Sequence, residues 1–301
     1  MKLVSYDRSG RTRLGVVLPN HIVDLVTAAQ KYAAATQDSV PLEAFADMAA
    51  FLSATNGVVA TAQKVVEWIQ EHDLDANTIE LDSADITVPL ARPGKIICAG
   101  LNYADHCREQ GVDLPESPVL FSKFTTSLLP HGGQITWSPE ITQQVDFEAE
   151  LAVIIGREAR YVREAAAMDY VAAYTIINDV SARDVQFADG QWIRGKSFDT
   201  FCPIGPYAVT AAAIADPHDL AIKCRVNGQT MQDSNTGEMI FKIPYLIEYI
   251  SHFCTLQPGD IISTGTPHGV GVFRDPQVFL KSGDVVEVEV EKIGVLRNTV
   301  S

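Results

Sequence analysis

A β-rich α+β fold in two parts is what this sequence predicts, with a small N-terminal α+β domain over residues 1–90 and a larger β-rich domain over 91–301. Three observations carry that reading. Helical composition is concentrated before residue 73, in "QKYAAA", "PLEAFADMAAFLSAT" and "GVVATAQKVVEWIQEH". Beyond residue 95 the chain turns into many short apolar runs bounded by turn residues. Between the two regions, "DITVPLARPG" carries two prolines and reads as a connector.

The elements follow in order. "MKLVSYD", the turn "RSGRT" and "RLGVVLP" read as strand, turn and strand, and "HIVDLVTAAQKYAAA" then shows helical composition. Two more helices are expected, one opened by Pro41 and the next preceded by Asn56-Gly57. The pattern weakens from Asp73 to Pro93. "KIICAG" is a buried strand, "NYADHCREQG" a short polar helix closed by glycine, and "VLFSKF" a strand. "GQITW", "FEAELAVIIG", "AAYTIINDVS", "IGPYAVT", "DIISTGT" and "VVEVEVEKIGVL" continue the β character. Asn227-Gly228 inside "RVNGQTM" marks a tight hairpin. "REAAAMDYV" and "KIPYLIEYISHF" read as helices. No internal repeat or low-complexity tract is present.

The bulk numbers exclude several classes. At 301 residues with 47% hydrophobic residues the chain is long enough to bury an extensive core. No apolar run reaches the roughly 18 to 20 residues of a membrane helix, and "MKLVSYDRSG" lacks the apolar stretch of a secretion signal. A cytoplasmic protein without membrane partners is the expectation. The formal net charge of −15 argues against nucleic acid as a partner. It does not argue against an anionic substrate, because a divalent cation and a few basic side chains invert the potential locally. The five cysteines, Cys98, Cys107, Cys202, Cys224 and Cys254, are scattered and form no C-x-x-C, against a disulfide framework or structural zinc.

The stretch "VDFEAELAVIIG" bears the first chemistry. Read as one strand with period two, it places Val145, Phe147, Ala149, Leu151 and Val153 on one face and Asp146, Glu148 and Glu150 on the other. Either this is an edge strand whose acids face water, or Glu148 and Glu150 are aimed at a metal ion. Asp179, at the end of the apolar run "AAYTIIND", belongs with them if it does not instead start a turn or cap a helix. Three carboxylates without a thiolate suit Mg²⁺ or Mn²⁺, with Ca²⁺ a further candidate.

Other groups are candidates for chemistry. His106 and Glu109 are three apart, so on a helix the carboxylate can orient the imidazole as a water-activating base; an incidental exposed pair is the alternative. Cys107 points elsewhere, as neighbours on a helix do. Lys196 in "GKSFDTFCPIGP" is either a ligand for a substrate carboxylate or enolate, or an ordinary surface lysine. "STGTPHGVG" lacks the G-K-[ST] of a P-loop, but its amides and Thr266 are candidates to hold one carboxylate.

Taken in order, "GLNYADHCRE", "PVLFSK", "DFEAELAVIIG", "NDVSARDVQ", "GKSFDTFCPIGP" and "LQPGDIISTGTPHGVG" resemble the fumarylacetoacetate hydrolase superfamily over residues 90 to 295. That resemblance implies a mixed β-sandwich roll, usually a homodimer. It implies a Mg²⁺ or Mn²⁺ site on Glu148, Glu150 and Asp179, and a lid helix carrying the dyad His106–Glu109. It further implies roles for Arg183, Gln186 and Thr266 toward substrate and for Lys196 in catalysis. The function so implied is hydrolysis of a carbon–carbon bond in a 2,4-dioxo, acylpyruvate-like acid. Decarboxylation of oxaloacetate, or hydrolysis or isomerisation of a diketo-deoxy sugar acid, would use the same residues. A non-catalytic metal- or ligand-binding protein is the reading from another class, and the intact His106, Glu109 and Lys196 weigh against it.

Overall fold

The computed structural model describes residues 1–54, 57–72 and 78–301. A twelve-stranded mixed sheet runs through its centre. Along it lie Thr78–Glu80, His21–Asp24, Thr12–Val17, Lys2–Asp7, Cys202–Thr210, Val171–Asn178, Ala149–Ile155, Ile261–Ser263, Ile96–Gly100 and Val119–Ser122. Lys2 and Leu3 pair with Val209 and Ala208, so the N-terminal strands extend the same sheet.

Both faces of this sheet are covered. Leu151, Val153, Ile155, Tyr174 and Ile176 pack with Ile222, Cys224, Val286, Val288 and Leu296 of a five-stranded sheet. On the other face Ala152, Ile154, Ala173 and Ile177 meet Leu25, Phe51, Val65 and Ile69 from N-terminal helices. A strand buried on both sides needs apolar residues at every position, and this accounts for the unbroken "LAVII".

Several local readings change in three dimensions. His21–Asp24 is a strand, and the helix Leu25–Thr36 starts only after it, where the Asp24 side chain accepts from Thr27 N at 2.8 Å. "PLEAFADMAAFLSAT" splits into a 3₁₀ turn, Leu42–Phe45, and a short helix, Met48–Ser53, because Asp47 caps a new start by accepting from Ala50 N. Val58–His72 is helical, whereas Asn56 and residues 73–77, where the sequence pattern weakens, lie outside the described residues. "VVEVEVEKIGVL" is two strands, Val285–Val290 and Gly294–Val300, folded back on each other. The hairpin at Asn227-Gly228 forms, with φ of 52° and 77° at its two central residues.

The acidic stretch is also not one strand. Val145–Asp146 pairs with Ser181–Ala182, and a separate strand begins at Ala149. Side chains replace the ladder at the break: Glu148 N donates to Asn178 Oδ1 at 3.0 Å and Ala149 N to Gln232 Oε1 at 2.9 Å. The simple alternation of faces therefore fails at this point.

Candidate active site

The break sends the three acids to two destinations. Asp146 accepts from Phe147 N, Gly271 N and Val272 N and pairs with Arg183. Glu148 and Glu150 instead converge with Asp179, their ligand atoms all lying within 4.8 Å of one another. None of the acids faces water, since Asp146 and Asp179 are 0% exposed, Glu150 2% and Glu148 5%. The edge-strand reading is thereby overturned. Asp179 caps no helix either: the helix Arg183–Asp189 begins beyond it, with Ala182 at its N-cap.

Three buried cations, Lys123, Arg183 and Lys196, face these four carboxylates. Lys196 Nζ donates to Glu148 Oε2 at 2.8 Å and to Asp179 Oδ2 at 2.7 Å, so it is no surface lysine. Lys123 Nζ donates to Asp179 Oδ1 at 2.5 Å and to the Val180 carbonyl at 3.2 Å. Arg183 Nη2 lies 2.8 Å from Asp146 and 2.7 Å from Glu148, close in distance although not aligned as hydrogen bonds. Its Nη1 donates to Gln186 Oε1 at 3.1 Å.

Burial works to raise the Glu148 carboxyl, but Lys196 and Arg183 outweigh it and hold it at about 2. Burial, followed by the neighbouring Asp179 and Glu148, pushes the Glu150 carboxyl well above its ordinary range. The Ser263 hydroxyl and Gly265 N both donate to Glu150, and they do not offset that rise. Burial alone would lower the Lys196 ammonium; Asp179 and Glu148 reverse the direction and hold it charged. Three carboxylates this close and this deep fit a divalent cation, which removes the conflict at Glu150. The donors are all oxygen, suiting Mg²⁺ or Mn²⁺, and Ca²⁺ as well, better than zinc.

The helix Ala104–Gln110 carries the dyad over this cluster. His106 Nδ1 lies 3.1 Å from Glu109 Oε2, and Glu109 Oε1 accepts from Gly269 N at 2.8 Å. With Nδ1 so engaged, Nε2 is the ring nitrogen left for the cavity. The helix is fastened by Asp105, which accepts from Ser234 at 2.6 Å and lies 2.8 Å from His268 Nδ1. Cys107 is turned to the Leu101 carbonyl, and burial raises its thiol, so no Cys–His couple exists.

The glycine-rich loop holds carboxylates of this protein. Gly265 N, Gly269 N and Gly271 N donate to Glu150, Glu109 and Asp146 respectively, which leaves none of these three amides for a substrate. Thr266 Oγ1 accepts from Gln232 Nε2 at 2.8 Å and lines the cavity.

That cavity measures about 90 Å³ and is lined by His106, Glu148, Glu150, Arg183, Gln186, Lys196 and Thr266, among others. Larger open grooves of about 990 and 770 Å³ are also present, the first of them reaching Phe121 and Lys123, but neither is lined by the carboxylate trio or by Lys196. Sequence reasoning missed three contributors here: Lys123, Gln232 and Trp192. For Lys123 a signal existed, a charged residue ending the apolar run "VLFSK", the same cue that marks Asp179.

Residues 95–301 match the family described as fumarylacetoacetate (FAA) hydrolase C-terminal. The chain belongs to the fumarylacetoacetate hydrolase family. It is 54% identical over 214 residues to a mitochondrial oxaloacetate tautomerase of Bos taurus, covering 70% of this chain and 68% of that protein. Among solved structures it resembles a fumarylacetoacetate hydrolase of Exiguobacterium antarcticum, with TM-score 0.83, 34% identity and coverage of 100% of this chain and 99% of that one. It also resembles the maleylpyruvate hydrolase of Sphingobium sp. SYK-6 in complex with manganese(II) and pyruvate, at TM-score 0.75, 28% identity and coverage of 100% and 98%. The family's N-terminal α+β region and large mixed sheets are both present here. Among the described residues, no helix is long and apolar enough to cross a membrane.

Proposed function

We propose that this chain is a metal-dependent oxaloacetate tautomerase, moving a proton between the enol oxygen and carbon 3 of the substrate. The observation that carries this reading is the small cavity in which the His106 imidazole and the Lys196 ammonium stand with Glu148 and Glu150, two of the three clustered carboxylates. A proton shift consumes no water and releases no fragment, so it asks nothing of the cavity beyond room for the substrate. The identity to an oxaloacetate tautomerase supports the same substrate. This reading departs from the carbon–carbon hydrolysis expected on the sequence.

A divalent cation held by Glu148, Glu150 and Asp179 would supply charge stabilisation to the enolate of a 2-oxo acid. Lys196, kept as an ammonium, donates a hydrogen bond to the developing oxyanion and is no base. His106, its tautomer fixed by Glu109, takes the proton from one end of the enol system and returns one to the other. Arg183 keeps Glu148 ionised, and Gln186 fixes Arg183. The helix Ala104–Gln110 excludes bulk water from the enolate.

A second reading, hydrolysis of an acylpyruvate, is favoured by the dyad, which is able to activate water, and by the likeness to a hydrolase holding manganese and pyruvate. The test is an assay on chelator-stripped protein with Mg²⁺ or Mn²⁺ restored. Enol absorbance of oxaloacetate lost without pyruvate supports tautomerisation. Pyruvate with CO₂ means decarboxylation. Acylpyruvate cleaved to pyruvate and a carboxylic acid, with oxaloacetate untouched, would establish hydrolysis instead.

A further inference from the structure

One side of the cavity is closed by a side chain that takes no part in the charge cluster. Trp192 stands at the start of the short helix Ile193–Lys196 and is only half-buried. Its ring lies edge-on to Phe121, with centroids 5.4 Å apart, and both residues line the cavity. The Phe121 ring in turn lies 5.1 Å from Lys196 Nζ.

Gly100 shows that the ring's place is specified. A Cβ at this position would meet Trp192 Cζ3 at 2.3 Å and Cη2 at 3.0 Å. Gly100 ends the strand Ile96–Gly100 and is not among the residues with positive φ, so the backbone does not require glycine there. What requires it is the indole, which packs directly on the strand where a side chain would stand. The remaining aromatic residues of the lining, Phe187 and Phe273, are 56% and 37% exposed and flank the opening.

We propose that Trp192, seated on Gly100, sets the chain-length limit of the site and restricts it to short 2-oxo acids. The claim rests on the assignment of a 2-oxo acid to this cavity, but not on which reaction follows. A cavity of about 90 Å³ admits a three- or four-carbon acid. A longer tail meets the indole, and each methylene that cannot be placed costs about ten-fold or more in affinity. Removing the indole opens a path between Gly100 and Phe121 toward solvent while leaving every charged group of the cluster in the sequence.

The experiment measures binding. Straight-chain 2-oxo monoacids of three to six carbons are titrated calorimetrically into Mg²⁺-loaded protein, and the readout is the ratio of affinities between the shortest and longest acids. A general loosening of the site cancels in that ratio. Wild-type protein is expected to bind the five- and six-carbon acids at least about ten-fold more weakly than the three-carbon acid. In Trp192→Ala the ratio falls to about three-fold or less. Gly100→Ala, which displaces the ring from the opposite side of the same contact, moves it in the same direction. Trp192→Phe gives an intermediate ratio and stays informative if the alanine variant does not fold. Absence of length discrimination in the wild type, or a ratio unchanged in all folded variants with normal Mg²⁺ affinity, overturns the proposal. Failure of the tautomerase reading would look different: discrimination intact, with no acceleration of enol loss. No binding of these monoacids would overturn the proposal, and no binding of oxaloacetate as well would overturn both.

Discussion

The Lys196 ammonium donates to Glu148 across 2.8 Å, joining the end of a short helix to the bend that precedes the strand Ala149–Ile155. This contact keeps a buried carboxylate ionised and aimed at its two neighbours. Removing one partner of a buried ion pair costs about 3–5 kcal/mol. Lys196→Met is expected to lower the melting temperature of metal-free protein and to abolish most turnover. Because a divalent cation replaces part of the lost charge, Mg²⁺ should raise the melting temperature of the variant more than that of the wild type. Equal increments by thermal scanning would contradict the charge-compensation account.

Asp146 offers the complementary case. It stands two residues before Glu148, yet it serves Arg183 and the amides of Gly271 and Val272. Asp146→Asn should cost about 3 kcal/mol or more in denaturant unfolding, since Arg183 loses a buried countercharge. Folded variant should bind Mn²⁺ within about three-fold of wild type, because Asp146 is outside the ligand trio. A loss of a hundred-fold or more in metal affinity would place it among the ligands.

Glu148 and Glu150 give opposite pH signs. Glu148, held at about 2, contributes stability above its ordinary value of 4.5 and loses it as the pH falls toward 2. Glu150 is raised, so in metal-free protein its contribution is complete below 4.5 and is lost as the pH rises through its folded value. Below that folded value, metal binding displaces the proton. Mn²⁺ affinity is therefore expected to rise with pH, and calorimetry in buffers of different ionisation enthalpy should show release of about one proton. No proton release near neutral pH would show that Glu150 is already ionised.

His106 and Glu109 separate chemistry from metal binding. His106→Ala should lower turnover by about 10²- to 10⁴-fold. Glu109→Gln should lower it less, because Glu109 acts by orienting the imidazole. Mn²⁺ affinity should be preserved in both. Turnover near wild type in His106→Ala would move the proton transfer to another group.

Much of this site was legible because buried charge is conspicuous against apolar sequence. Asp179 stands at the end of "AAYTII", and Glu148 and Glu150 stand inside "FEAELAVII". The bend that parts Asp146 from them was not legible. It depends on Asn178 and Gln232, side chains from distant strands that substitute for ladder bonds. The strand His21–Asp24 was hidden for a similar reason, since its partners Thr12–Val17 and Thr78–Glu80 override a locally helical composition. Trp192 gave no signal either. Its place is defined by Gly100 and Phe121, both far from it in the sequence.

The most direct test of the central claim is deuterium exchange at carbon 3 of oxaloacetate in D₂O, followed by proton NMR with Mg²⁺ present. The account predicts saturable exchange well above that with Mg²⁺ alone, abolished by chelation and in Glu148→Gln. Exchange no faster than with Mg²⁺ alone, in protein that binds the metal and cleaves acylpyruvates to pyruvate, would contradict it.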